Sequence, residues 1–180
     1  MLSSSVRRGS DAAGFIAGLF LGAFPTAFAF MVIGSVVRSP LPVIACQVLA
    51  GLAAVVFLLR EFHVFSFPLL QNARLVPQFV AHTPVWGAVQ FGAEMGTGMR
   101  TYSPTGLPHI MAISLFLLGS WSDALMAGAG FALGRALMLL TFLLARDKMR
   151  ADTAFDFALP KMTWLFALMF VPLVAILVAA

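Results

Sequence analysis

The sequence predicts an all-α integral membrane protein of about five transmembrane helices, one of them broken by glycine and proline or re-entrant. Three observations predict it. Hydrophobic residues make up 61% of the chain and charged residues only 10%, against about 45–50% and about 25% in a soluble domain. That excess of apolar surface calls for lipid as a second solvent. Uncharged apolar runs recur at roughly the 20-residue length that crosses a bilayer. The basic residues stand at the ends of those runs, where membrane orientation needs them. With 180 residues and no long polar tract, a single polytopic domain over 1–180 is expected.

The first span runs Ala12–Val37, without a charge and interrupted by Pro25. It exceeds the apolar core of a signal peptide, about 7–15 residues, so Arg7 and Arg8 are read as flanking a retained helix. Gly14, Gly18 and Gly22 recur every four positions and form one small-residue stripe, the pattern that lets helices approach closely in lipid. The turn Arg38-Ser39-Pro40 leads to the second span, Leu41–Leu59.

From Glu61 to Val85 the pattern changes. Phe62, Phe65, Phe67 and Phe79 mix with Gln71, Arg74, Gln78 and His82, and Pro68, Pro77 and Pro84 divide the stretch. Aromatic and polar groups side by side suit the membrane surface, so an interfacial amphipathic segment is expected over 61–85.

Trp86–Ser120 holds two apolar pieces, Trp86–Met99 and Leu107–Ser120, separated by Arg100-Thr101-Tyr102-Ser103-Pro104-Thr105-Gly106. Each is shorter than a span. Together they read as one broken helix, or as a re-entrant half-helix followed by a span. Asp123–Ala145 follows, with Gly130, Gly134 and an embedded Arg135. The last span, Met162–Ala180, is entered through Pro160-Lys161 and contains Pro172.

Charge placement orients the whole. With the N-terminus in the cytoplasm and 86–120 crossing once, Arg7, Arg8, Arg60, Arg74, Arg146, Lys148, Arg150 and Lys161 are all cytoplasmic, and only Arg38 lies in an outside loop. Two crossings there would move Arg146–Arg150 and Lys161 outside and erase the bias. The expectation is therefore a multi-pass protein of the cell inner membrane, N-terminus cytoplasmic and C-terminus extracytoplasmic.

Ionisable groups within a bilayer are costly and mark function by default. They concentrate in 91–104, which holds Gly92, Glu94, Gly96, Thr97, Gly98, Arg100, Thr101, Tyr102, Ser103 and Pro104. Each glycine lowers helix stability by about 1 kcal/mol relative to alanine, and Pro104 and Pro108 remove two backbone donors. Helical backbone should unwind here, which a membrane tolerates only inside protein or beside a wet cavity. Such breaks form binding sites in secondary transporters. The candidate substrate-binding residues are Glu94, Thr97, Arg100, Tyr102, Pro104 and Arg135. Arg135 needs an acceptor from another helix, and Glu94 is the candidate. The same residues also suit an internal ion pair and tight loop that merely stabilise the bundle.

Other chemistry is not signalled. The net charge of +4 is scattered rather than clustered on one face, so no nucleic acid is expected. Cys46 is the sole cysteine, so neither an internal disulfide nor a CxxC pair can form. His63, His82 and His109 are not in metal-ligand spacing, and hydrolase and nucleotide motifs are missing. No cofactor, metal or enzymatic activity is expected.

Phe91-Gly92-x-x-x-Gly96-Thr97-Gly98, then Ser103-Pro104 to Pro108, then a helix ending Leu118-Gly119-Ser120, resembles the membrane domain of the thiol-disulfide reductant-transfer family. These are the DsbD/CcdA-type proteins of cytochrome c biogenesis, within the LysE-like group. The glycine-rich Ala127–Leu137 resembles that family's next helix, and Gly14–Phe20 with Pro25 extends the likeness more weakly. The resemblance implies two repeats whose broken helices face a central, alternately accessible cavity. In that family a cysteine follows each helix-breaking proline. Here Thr26 follows Pro25, Thr105 follows Pro104, and Cys46 stands at neither place. Thiol–disulfide relay needs a dithiol, so that activity is not implied.

Two function classes remain: a small transport-type protein moving a solute through the broken-helix region, or a non-catalytic subunit or assembly factor of a larger membrane complex. The expected partners are the lipid bilayer and either such a complex or further copies of the chain.

Overall fold

Five helices have both ends among the described residues, in the order α1 Gly9–Arg38, α2 Val43–Glu61, α3 Trp86–Gly96, α4 Leu107–Leu118 and α5 Trp121–Leu144. The computed structural model describes residues 9–69, 83, 85–100, 103, 105–144, 153, 157, 158, 165 and 168. The expected last span, apart from Leu165 and Leu168, lies outside them, as do most of 70–84 and the candidate residues Tyr102 and Pro104. Among the described residues the chain is all-helical. Among the described residues three helices, α1, α2 and the Trp121–Thr141 part of α5, are long and apolar enough to cross a membrane.

The boundaries follow local chemistry. α1 continues through Pro25, which cannot donate to the carbonyl four residues before it; beside it the Thr26 hydroxyl donates to the Gly22 carbonyl at 2.8 Å. α2 closes on a paired turn, with the Val64 N–H donating to Leu59 O and the His63 N–H to Arg60 O. His63 takes φ 59° at the position usually given to glycine. α5 opens on a reciprocal cap: Asp123 accepts from the Ser120 N–H at 2.8 Å, and the Asp123 N–H donates back to Ser120 Oγ at 3.3 Å.

The chain divides into two compact units, and α1 and α5 contribute to both. Unit 1 comprises Met1–Phe28, Leu70–Tyr102 and Leu125–Ala151. Its core is Phe15, Leu19, Ala23, Ala88, Phe91, Ala132, Ala136 and Leu139, with the Phe15 and Phe91 rings 5.7 Å apart.

Backbones of α1 and α3 interlock through the glycine stripes. A Cβ on Gly18 or Gly22 would strike the carbonyl oxygens of Val89 and Ala93; one on Gly92 or Gly96 would strike those of Phe15 and Leu19. Gly14 meets Val85 and Val89, Gly18 meets Val89 and Ala93, and Gly22 meets Ala93 and Gly96. This rising register makes α3 parallel to the first half of α1. By contrast, nothing among the described residues lies within 4 Å of a Cβ built on Gly130 or Gly134.

Unit 2 comprises Ala29–Leu69, Ser103–Ala124 and Asp152–Ala180. Here α4 packs on α2, with Ala54 and Ile110 at the centre and Phe57, Leu58 and Leu107 around them. Glu61 at the end of α2 meets Gly106 at the start of α4, so these two helices are antiparallel. Gly34 abuts the Phe116 backbone, and Arg38 Nη2 donates to Gly119 O at 2.6 Å. α4 is therefore parallel to the stretch of α1 it packs against.

Candidate functional site

α3 stops where its sequence stops favouring a helix. Gly96 is its last residue, and Gly98 adopts φ 75°, a backbone conformation open to glycine at little cost. The Thr97 hydroxyl donates to the Glu94 carbonyl at 2.8 Å and accepts from the Met99 N–H at 3.4 Å, tightening the turn. The chain thereby doubles back, and Arg100 Nη1 reaches Glu94 Oε2 at 2.9 Å. Arg100 also sits past the C-terminal end of α3, where a cation complements the helix dipole. The pair is partly open, with side chains 24% (Glu94) and 42% (Arg100) exposed.

α5 supplies the rest of the cluster in unit 1. Its Phe131 ring lies against the Gly98 turn, with Cζ 3.5 Å from a Cβ built on that glycine. The Arg135 guanidinium lies over the same ring, 5.3 Å from its centroid. The expected partner of Arg135 is Glu94; among the described residues that carboxylate pairs with Arg100, and the contact seen for Arg135 is the Phe131 ring. Arg100 stands six positions after Glu94, beyond the side-chain spacing of a continuous helix, and the glycine turn closes that gap. Phe131 escaped the sequence reading because an aromatic in an apolar helix carries no distinguishing signal.

Thus Glu94, Thr97, Arg100 and Arg135 belong to one unit, joined through the Gly98 turn and Phe131. Ser103 and Thr105, both buried, belong to the other.

Unit 2 holds a second polar cluster that the sequence did not single out. Glu61 Oε1 accepts from the Gly106 N–H at 2.7 Å and from Arg60 Nη1 at 3.2 Å. Arg60 Nε donates to Phe67 O at 3.0 Å, and its guanidinium lies 5.5 Å from the Phe67 ring centroid. His109 stacks on Phe57 at 5.8 Å. The signal that could have found Glu61 is indirect: α4 begins at a glycine with no side-chain cap of its own, so its first N–H groups need an acceptor from elsewhere.

The described carboxylates sort by role. Asp11 accepts from the Val85 N–H at 3.1 Å, just ahead of α3; Glu61 serves the start of α4 and Asp123 the start of α5. Glu94 alone among these four caps no helix start. Its charge meets a partly exposed arginine, an arrangement that an incoming polar group can exchange with.

Compared with protein-family models, curated proteins and solved structures, the chain gives no match.

Proposed function

We propose that this chain is a small transport-type protein of the cell inner membrane that binds or moves a small solute at the break that follows α3. Glu94, Thr97, Arg100 and Arg135 contact the solute path, and Tyr102 and Pro104 belong to the same break. The observation that carries this reading is the partly open Glu94–Arg100 pair on a glycine turn, in a chain whose other described carboxylates cap helices.

The proposal includes five spans, with 86–120 crossing once, the N-terminus cytoplasmic and the C-terminus outside. One feature supports a single crossing: it keeps Arg60, Arg74, Arg146, Lys148, Arg150 and Lys161 on the cytoplasmic side. The DsbD/CcdA-type likeness enters as an architecture of broken helices only, since Cys46 is buried in α2.

A second reading, a non-catalytic subunit or assembly factor of a larger membrane complex, draws on the Gly130/Gly134 stripe, which no described residue crowds and which another helix could approach closely. Reconstitution decides between them. Solute uptake into proteoliposomes by the chain alone, lost in Glu94→Gln and Arg100→Gln variants that keep wild-type thermal stability, supports the transporter. Obligate co-purification with a larger complex, or unchanged uptake in both variants, removes it.

A further inference from the structure

Val85, at the entry to α3, is strained. Its φ of 63° and ψ of −60° are those of the γ-turn with positive φ, a rare and strained conformation. A β-branched side chain tolerates positive φ least. The other described non-glycine residue with positive φ, His63, stands at a helix C-terminus, where that conformation is usual. Val85 stands at the opposite kind of end, as the N-cap of α3 with no side-chain cap. Strained residues persist only where their surroundings hold them, and they collect at switch regions.

The Val85 N–H is held by one carboxylate. Asp11, 8% exposed, accepts from it at 3.1 Å. Asp11 lies in the first turn of α1, so the contact ties the start of one helix to the start of its parallel neighbour. Beyond this contact the α1–α3 packing is graded. A Cβ on Gly18 or Gly22 would strike α3 backbone, and one on Gly92 or Gly96 would strike α1 backbone. At Gly14 two of the three nearest atoms belong to the side chains of Val89 and Val85, at 3.3 and 3.4 Å. Side chains can swing aside and backbone cannot. The later part of α3 is therefore locked on α1, and its first turn is only lightly seated.

We propose that Val85 is a spring-loaded hinge and Asp11 its latch. When Asp11 lets go, Val85 relaxes to negative φ and the first turn of α3 lifts from Gly14, while the rest of α3 stays on Gly18 and Gly22. Hinges of this kind are single residues at the ends of elements that absorb the backbone change. The strain stored at Val85 lowers the cost of opening, and the carboxylate on α1 sets how often it occurs. This device does not depend on what binds at the α3 break.

Hydrogen exchange of the full-length protein in mild detergent, followed by mass spectrometry over 85–89 and 92–96, tests it. Asp11→Ala should speed exchange over 85–89 about tenfold, as loss of a helix-end acceptor does, and leave 92–96 within about twofold. Val85→Gly should slow exchange over 85–89 about fivefold, because relief of strain outweighs the added freedom of glycine. Little packing is lost with that side chain, which is 39% exposed. The Asp11→Ala/Val85→Gly double variant should return close to wild type, since a latch without a spring has little to hold. Faster exchange over 85–89 in Val85→Gly would mean that Val85 stores no strain and would overturn the proposal. So would equal acceleration of 85–89 and 92–96 in Asp11→Ala, which would mean that α3 leaves α1 as a whole. Should Asp11→Ala not fold, the direction of change in Val85→Gly decides by itself.

Discussion

Gly18 and Gly22 show how much one missing methyl can decide. Their positions let α1 lie directly on the α3 carbonyls, and a Cβ at either would strike backbone, which cannot swing aside as a side chain can. Gly22→Ala should therefore destabilise the protein by about 1–3 kcal/mol, as overpacking does. Gly130→Ala should be neutral or gain up to about 1 kcal/mol from helix propensity, since nothing among the described residues crowds it. Thermal unfolding in detergent compares the two, and equal losses would refute this account of the α1–α3 contact. The stripes themselves were legible, because glycine every fourth residue in an apolar run has few other uses. Which stripe met which was not, because glycine spacing records the need for close approach and not the partner. The Glu94–Arg100 pair was half legible in the same sense: the charges stood out, while their closure depended on a turn at Gly98.

At the level of elements, α4 is the instructive case. Its 12 residues extend about 18 Å, too short for the roughly 30 Å hydrocarbon layer, and its start offers no cap of its own. Side chains from other helices hold both ends. Glu61 places negative charge at its N-terminus and Arg38 places positive charge at its C-terminus, each complementing the helix dipole. The pieces of the break were visible as apolar runs, yet these clamps were not, because residues 45 and 81 positions away in sequence supply them. Glu61→Ala should raise hydrogen exchange at Gly106 and the first-turn amides of α4 by about tenfold, the effect of roughly 1.4 kcal/mol for a lost cap. Arg38→Ala should act instead on the last turn of α4. Exchange that changes equally along all of α4 in both variants would mean the ends are not separately held.

For the whole molecule, hydropathy carried the fold class, while charge placement bears on the span count and orientation that the proposal adds. An all-helical chain with long apolar helices follows from having 61% hydrophobic and 10% charged residues, because only satisfied backbone survives in lipid. The break in 86–120 and its polar content marked out the candidate site; the pairing of charges and the position of Phe131 needed tertiary contacts. The central claim is that the α3 break lines a wet path within a segment that crosses the membrane once. Single cysteines at Thr97, Ser10 and Ser120, in a Cys46→Ser background, test it with a membrane-impermeant maleimide applied to right-side-out and inside-out vesicles. The account predicts that Ser10→Cys reacts only in inside-out vesicles, Ser120→Cys only in right-side-out vesicles, and Thr97→Cys in at least one of the two. Ser10 and Ser120 labelled from the same side, or Thr97→Cys unreactive in both preparations while the other two react, would contradict it.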